Sequence, residues 1–105
     1  MAIAKIDIFH TTDQELADIA KAMSHPARVQ ILRVLNDQDQ CIVGDLVDLL
    51  PLSQSTVSQH LKELKRVGLI RGEIDGPRTC YCLNEPVMEK AKAAFTNLFS
   101  TMKCC

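Results

Sequence analysis

A proline between two helix-like stretches constrains the fold of this chain more than any other feature. Residues 44–50, GDLVDLL, have the pattern of a short helix, which Pro51 ends because proline has no backbone N–H to donate. Ser53 is then well suited to cap a second helix, whose apolar positions recur at helical spacing at Val57, Leu61 and Leu64. A short helix, a tight turn and a second helix form a helix-turn-helix, which the sequence predicts for about residues 44–67.

The outer face of this second helix carries mostly uncharged polar side chains, whereas ordinary solvated helix faces are built from Glu and Lys. Ser, Thr and Gln can both donate and accept hydrogen bonds, as base edges in a DNA major groove require. The candidate DNA-contacting residues of this helix are Ser53, Gln54, Ser55, Thr56, Ser58, Gln59 and His60. Basic side chains that suit phosphates follow at Lys62, Arg66 and Arg78. His60 lies beside the reading face, where we expect it to touch a phosphate or solvent.

A β-hairpin is predicted directly after this helix. The stretches LIRGEI and RTCYCLN flank Asp75-Gly76-Pro77, a turn sequence, so about residues 69–83 form a wing. An amphipathic helix with an outer face that is merely rich in Ser and Gln is the simpler alternative for residues 53–66 taken alone. The turn before that helix and the basic hairpin after it favour DNA binding.

Helical patterns flank this unit at about residues 12–23 and 85–102. The first pattern opens with Thr12 three residues before Glu15, the spacing of a capping box. The last helix has more apolar surface than one short core needs, unless it simply caps its own domain. We therefore expect both flanking helices to bury against a second copy, chiefly through Leu16, Ile19, Phe95, Leu98, Phe99 and Met102.

The length of 105 residues allows one domain. The predicted fold class is mainly α with a small β-hairpin: a single, dimeric winged helix-turn-helix over residues 1–105. The net charge of −1 is uninformative by itself, but the helix and hairpin at residues 54–78 have a local excess of positive charge. That excess suits an anionic partner.

The chain shows neither an apolar stretch that could span a bilayer nor a secretion signal, so the cytoplasm is the expected compartment and no membrane partner is expected. Thiols stay reduced there, so the five cysteines are core filler, metal ligands or redox groups rather than a disulfide framework. No tightly bound cofactor is expected. A thiol oxidoreductase that uses Cys80 and Cys82 is a remote alternative, because the chain lacks a Cys-x-x-Cys at a helix N-terminus.

Three stretches in order, MSHPARVQILRVL, GDLVDLLPLSQSTVSQHLKELKRVGLI and GPRTCYCLN, resemble the ArsR/SmtB family of winged-helix repressors. The resemblance covers roughly residues 12–84. It implies a homodimer on double-stranded operator DNA, a non-enzymatic repressor role, and in many members release by an inducer. Two of the family's sensing sites are not supported: no histidine lies in residues 84–105, and the Cys-x-Cys before the third helix is not intact, with Ile42 and Gly44 in its place.

The remaining cysteines predict a thiol site. Cys80 and Cys82 share one face of a predicted strand, and the segment before the helix-turn-helix, which holds Cys41, often forms a strand beside the wing. Three converging sulfurs suit a thiophilic ion, and family resemblance makes a trivalent arsenical the first choice of inducer, with cadmium, lead or zinc behind it. A thiol-redox switch and simple packing remain open alternatives. The candidate ligands are Cys41, Cys80, Cys82, Cys104 and Cys105.

Overall fold

A computed structural model describes residues 9–37, 42–43, 50–73 and 80–105. Within these ranges the chain forms helices α1 (Thr11–Ala22), α2 (Pro26–Asn36), α3 (Gln54–Arg66) and α4 (Glu85–Ser100), and strands β1 (Ile42–Val43), β2 (Ile70–Glu73) and β3 (Cys80–Leu83). The predicted first helix of the helix-turn-helix lies outside the described residues except for Leu50, as do Cys41 and Arg78.

The predicted capping box of the first helix is wrong. Helix α1 begins at Thr11, its N-cap is His10, and that N-cap residue makes no side-chain capping hydrogen bond. Thr12 therefore lies inside the helix, two residues after the N-cap position. The first turn keeps a favourable charge instead, because Asp13 lies near the positive end of the helix dipole.

Helix α2 starts where proline and histidine cooperate. His25 is the N-cap, and its Nδ1 accepts a hydrogen bond of 2.9 Å from the backbone N–H of Ala27. Pro26 occupies the first turn, where its missing N–H removes no intrahelical bond. The ring of His25 is thereby fixed beside the body of the domain.

Helix α3 is closed at both ends by local signals in the sequence. Ser53 is its N-cap, as predicted, and its Oγ accepts from the backbone N–H of Thr56 at 3.3 Å. At the other end Gly68 has φ of 84°, the left-handed conformation that glycine adopts without strain. The backbone N–H groups of Gly68 and Leu69 donate to the carbonyls of Lys65 and Leu64, which is a Schellman motif.

The predicted hairpin is confirmed. Strands β2 and β3 pair antiparallel, with Ile70 opposite Leu83 and Glu73 opposite Cys80. Strand β1 pairs with the other edge of β3, so the order of the sheet is β1-β3-β2. The strand that was expected beside the wing, before the helix-turn-helix, is therefore present.

An aliphatic core holds these elements together. The largest side chains that are less than 2% exposed are Ile31 of α2, Leu64 of α3, and the neighbouring Leu69 and Ile70. Tyr81 of β3 is the buried aromatic residue of the described core. Since α3 packs one side against this core, its opposite side is held outward in a fixed orientation.

Part of the predicted apolar face of the last helix does not enter this core. Ala91 is buried, but Leu98, Phe99 and Met102 are 39%, 63% and 54% exposed. Capping of its own domain therefore does not account for the C-terminal turns of α4. In the described part of the chain, no helix is long and apolar enough to cross a membrane.

Candidate nucleic-acid interface

The N-terminal half of α3 presents most of the predicted reading residues to solvent. Gln54, Ser55 and Gln59 are exposed, and Ser58 is half-buried. On the opposite side of the helix Val57, Leu61 and Leu64 are buried. The amphipathic pattern thus predicted the outward face correctly, and the base contacts of that face stay a prediction.

The hydroxyls at the start of α3 bond to one another. Ser53 Oγ donates to Thr56 Oγ1 at 2.9 Å and lies 3.3 Å from Ser55 Oγ. No acidic residue lies in the first turn, so the positive end of the helix dipole is not neutralised by a carboxylate. Ser53 and Thr56 are therefore first of all capping groups, at a helix end whose electrostatics suit a phosphate.

The prediction that His60 touches a phosphate or solvent is wrong. This residue is only 8% exposed, because it lies at the edge of the buried side of α3 and faces the start of α2. Its Nδ1 accepts a hydrogen bond of 3.0 Å from Nε of Arg28. Its ring centroid lies 4.5 Å from that of His25, with the two rings tilted by 46°.

Arg28 connects three helices at this point. While its Nε donates to His60 of α3, its Nη1 donates to the carbonyl oxygen of Ala22, the last residue of α1, at 3.1 Å. Carbonyls in the last turn of a helix have no intrahelical partner, so a side-chain donor satisfies one of them. Arg28 belongs to α2 and thereby joins the end of α1 to the middle of α3.

Arg66, predicted to hold a phosphate, is engaged within the protein. Its Nη1 and Nη2 donate to the two carboxylate oxygens of Asp18 in α1 at 3.1 and 3.0 Å. Its Nη2 also donates to Oε1 of Glu63 at 2.7 Å, and its Nε lies 3.2 Å from both Glu63 oxygens. A phosphate contact would therefore require these bonds to break.

The electrostatics of this cluster follow from the same bonds. Hydrogen bonds from Arg66 lower the pKa of both Asp18 and Glu63 below their ordinary values. The carboxylates in turn raise the pKa of Arg66. At neutral pH all three groups are charged, and two carboxylates surround one guanidinium.

Lys65 is engaged as well. Its Nζ donates to the carbonyl oxygen of Gly72 in β2 at 2.7 Å, which ties the end of α3 to the wing. Gly72 has φ of 128°, and a Cβ there would collide with the backbone of Cys80 in β3. Lys62 is exposed, one helical turn nearer the reading residues. A phosphate contact of Lys62 stays a prediction.

The wing carries two of the five predicted thiol ligands. Cys80 and Cys82 flank the buried Tyr81 on β3. Successive residues of a strand point to opposite faces, so the two cysteine side chains lie on the face away from the core. Both are half-buried, and neither is in a disulfide. Val43 of β1 lies opposite Cys80, and Cys41, just before β1 in the sequence, lies outside the described residues.

The tail cysteines are separate from the described wing pair. Cys104 and Cys105 follow α4 and are exposed. Among residues 9–37, 42–43, 50–73 and 80–105, no three His, Cys, Asp or Glu side chains converge as metal ligands. The structure therefore does not bring three or more of the four described cysteines into one site.

The interface also contains residues that the sequence did not single out. Arg28 lies 32 positions before His60, and Asp18 lies 48 positions before Arg66. Neither belongs to a motif of its own, and both occupy ordinary polar positions of amphipathic helices. Only the packing of α1 and α2 against α3 brings them to the recognition helix.

The sequence of this chain is similar to those of known transcription regulators. Residues 25–71 match the sequence profile "Bacterial regulatory protein, arsR family". The HTH-type transcriptional regulator YgaV of Escherichia coli is 33% identical over 86 residues, which are 82% of this chain and 87% of that protein. A cadmium resistance transcriptional regulatory protein CadC homolog of Staphylococcus aureus is 31% identical, over 88% of this chain and 77% of that protein.

A solved structure agrees in fold. An ArsR-like transcriptional regulator from Rhodococcus sp. RHA1 superposes with a TM-score of 0.68 at 25% identity, covering 87% of this chain and 85% of that one. The winged helix-turn-helix prediction is confirmed, and the remote oxidoreductase reading loses its support because the relatives are transcription regulators. The chain belongs to the ArsR family of DNA-binding transcription regulators.

Proposed function

We propose that the protein is a transcriptional repressor that binds operator DNA as a homodimer and releases it when a thiophilic ion binds its cysteines. The observation that carries the DNA-binding part is the outer face of the N-terminal half of α3. Exposed Gln54, Ser55 and Gln59, with Ser58 beside them, offer neutral donors and acceptors. Glutamine can bond adenine through two hydrogen bonds, and a major groove admits one helix.

The basic groups have different roles in this proposal. Lys62 lies exposed beside the reading face and is the proposed phosphate contact of α3. Arg66 is assigned instead to the ion pairs with Asp18 and Glu63. Arg78, which lies outside the described residues, remains a proposed contact to the DNA backbone from the sequence alone.

The homodimer rests on the exposed end of α4. Leu98, Phe99 and Met102 leave a large apolar surface in water, and Phe99 stacks on Phe95 with ring centroids 6.5 Å apart. A second copy that covers this surface through a two-fold axis would also supply the second recognition helix, because paired half-sites lie about 34 Å apart on DNA. Ultracentrifugation of the parent and of Leu98→Ala tests this. We expect a dimer that the substitution weakens, whereas a parent that sediments as a stable monomer at micromolar concentration contradicts the proposal.

The inducer part rests on thiol chemistry. Cys80 and Cys82 lie two residues apart on β3, on the side away from the core. Strand β1 pairs with β3, and Cys41 directly precedes β1 in the sequence. Soft sulfur ligands without imidazole select thiophilic ions. A trivalent arsenical is the first candidate, followed by cadmium, lead and zinc. The CadC homolog of Staphylococcus aureus is named for cadmium resistance, which supports a heavy-metal inducer without choosing among these ions.

A band shift on the protein's own promoter region tests the repressor role first. Reduced protein is expected to shift this DNA at low salt and to discriminate it from random DNA. Arsenite, antimonite, cadmium, zinc, lead and peroxide are then added separately. Release by arsenite supports the first choice, release by another ion reassigns the inducer, and release by peroxide alone favours the redox alternative.

Two matched double variants locate the site. Cys80→Ser with Cys82→Ser is expected to abolish release by the ion while leaving operator affinity intact, because serine oxygen is a hard ligand. Cys104→Ser with Cys105→Ser removes the same number of thiols from the exposed tail. If the wing variant still responds fully and the tail variant does not, the site lies in the tail.

A further inference from the structure

Among the described residues, His60 is the polar side chain of α3 that is buried. It lies in the same helix as the reading residues, one position after Gln59, yet it points toward the core. Its described partner is Arg28, whose other donor holds the end of α1. The imidazole thus lies at the junction of three helices.

The geometry fixes the protonation state of this ring. Nδ1 lies 3.0 Å from Nε of Arg28, and an arginine Nε can only donate because guanidinium stays protonated. Nδ1 must therefore accept, which requires the neutral ring with its hydrogen on Nε2. A proton on Nδ1 would place two donors face to face and remove the bond.

The residues around His60 do little to stabilise its protonated, charged form. The groups that act on His60 are Arg28 and His25, both from the start of α2, and burial and these two basic neighbours lower the pKa of His60. Glu63, three residues on in the same helix, hydrogen-bonds Arg66. Lys21, at the end of α1, is a further positive charge nearby, and it helps to lower the pKa of Glu63.

We propose that neutral His60 is a positioning residue for DNA recognition, which through Arg28 sets α3 against α1 and α2, and that its protonation releases this arrangement and weakens operator binding. The inference rests on the proposed role of α3 in reading the operator. His60 itself contacts no base or phosphate in this account. Its effect on DNA is indirect, through the angle at which the outer face of α3 is presented.

A positioning role for His60 and a phosphate contact predict opposite changes of DNA affinity with pH. A histidine that touches a phosphate binds DNA more tightly when it is protonated, because it gains a positive charge. A histidine that must be neutral to hold the helix binds DNA more weakly as the pH falls. Each His60 that must lose a proton for binding can change the operator dissociation constant by at most about tenfold per pH unit.

The test is the pH profile of operator affinity, measured by fluorescence anisotropy from about pH 7.5 to about pH 5, the range in which histidine titrates. His60→Asn places an amide oxygen near the position of Nδ1 and cannot titrate. We expect it to bind like the parent at high pH and to lack the loss of affinity at low pH. His60→Gln moves the acceptor one bond further along the side chain, so it should bind more weakly at every pH.

A control separates the two histidines. His25 is the neighbouring histidine, and its Nδ1 caps α2. His25→Asn keeps a capping oxygen, because asparagine is among the best N-cap residues. This variant should retain the low-pH loss of the parent, since His60 is unchanged.

Parallel profiles for the parent and His60→Asn would overturn the proposal, and so would a parent that gains affinity relative to His60→Asn as the pH falls. If the parent binds no operator at any pH, the proposed function fails and the arrangement of the helices is tested by stability. Because the folded state lowers the pKa of His60 below its ordinary 6.5, its contribution is present above that pH and is lost as the pH falls. The thermal midpoint of the parent should then fall below that of His60→Asn on acidification, and a pH-independent difference would refute the proposal.

Discussion

The two halves of α3 both expose polar side chains, but these side chains differ in what they contact. In the first half, Gln54 and Gln59 are exposed at the outer face. In the second half, Lys65 bonds the carbonyl of Gly72, and Arg66 bonds Asp18 and Glu63. The first half is available to a partner, whereas the second half fastens the helix to α1 and to the wing. A polar side chain on an exposed face is therefore not, by its position alone, a ligand-binding group.

The division has a mechanical consequence for recognition. A reading helix must keep its orientation while its outer side chains bind bases, and base contacts tolerate little displacement. The bonds of Lys65 and Arg66 restrain the C-terminal end of α3, and Arg28 restrains its middle through His60. The N-terminal half of α3 is thus held in place by contacts of the rest of the helix with α1, α2 and the wing.

Truncating a buried residue of α3 should have more effect than any change on its outer face, because both halves of the helix depend on packing against the core. Leu64 is 0% exposed at the core side of α3. Leu64→Ala should lower the free energy of unfolding by about 2–5 kcal/mol, because it removes buried methylene groups and leaves a cavity. Denaturant unfolding measures this, with exposed Lys62→Ala as the control, expected to stay within about 0.5 kcal/mol of the parent. A loss for Leu64→Ala no larger than that of the control would contradict the packing described.

Removing a reading side chain should affect binding and spare stability. Gln59→Ala or Ser58→Ala is expected to weaken operator binding by about 1–3 kcal/mol. Unfolding should be unchanged, since both side chains lie at the outer face. Gln30→Ala, which removes an exposed glutamine of α2, is the matched control and should bind like the parent. Equal affinities for all four proteins would show that this face does not read DNA.

Two of the basic side chains of α3, Lys62 and Arg66, should differ in how their removal changes the salt dependence of DNA binding. Lys62→Ala is expected to reduce the slope of log affinity against log salt by about 0.9 per protomer, because one phosphate contact is lost. Arg66→Ala should leave that slope unchanged, since its guanidinium is paired with carboxylates. If Arg66→Ala alone flattens the slope, Arg66 leaves its ion pairs to hold a phosphate.

The smallest expected effect is the pH dependence of the Arg66 ion pairs. Because Arg66 lowers the pKa of Asp18 below its ordinary 3.8, the contribution of this pair to stability is present above pH 3.8 and lost as the pH falls below it. The thermal midpoint of Asp18→Asn should lie slightly below that of the parent at pH 7. The two midpoints should converge in acid. The effect is small because the groups are about half exposed and screened by solvent.

The parts of the fold that local signals determine could be read from the sequence. Ser53 starts α3, Pro26 starts α2, and the alternation of apolar residues gives the correct inner side of α3. The turn sequence between β2 and β3 predicted the hairpin. Each of these features depends on residues close together in the chain, so periodicity and capping chemistry were sufficient. The capping box predicted for α1 is wrong because the helix already begins at Thr11, with His10 as its N-cap.

The candidate site was only partly predictable for the opposite reason. The roles of Arg66 and His60 are set by Asp18 and Arg28, which lie far away in the chain. From the sequence, both Arg66 and His60 belong to a polar face beside DNA-reading residues. Only the packing of α1 and α2 shows that their hydrogen-bonding groups are already used inside the protein. Sequence reasoning therefore identified which side of α3 is exposed, but it assigned to DNA two side chains, Arg66 and His60, whose hydrogen-bonding groups are engaged within the protein.

The central claim is that the N-terminal half of α3 reads bases while its C-terminal half holds the helix in place. Its most direct test is a set of operators in which each base pair is replaced in turn, bound by the parent, Gln59→Ala and Arg66→Ala. The account predicts that Gln59→Ala loses the preference at one or two base pairs of each half-site and keeps it elsewhere, whereas Arg66→Ala keeps the preference at every base pair. A Gln59→Ala profile identical to the parent's, together with lost preference in Arg66→Ala, would contradict it.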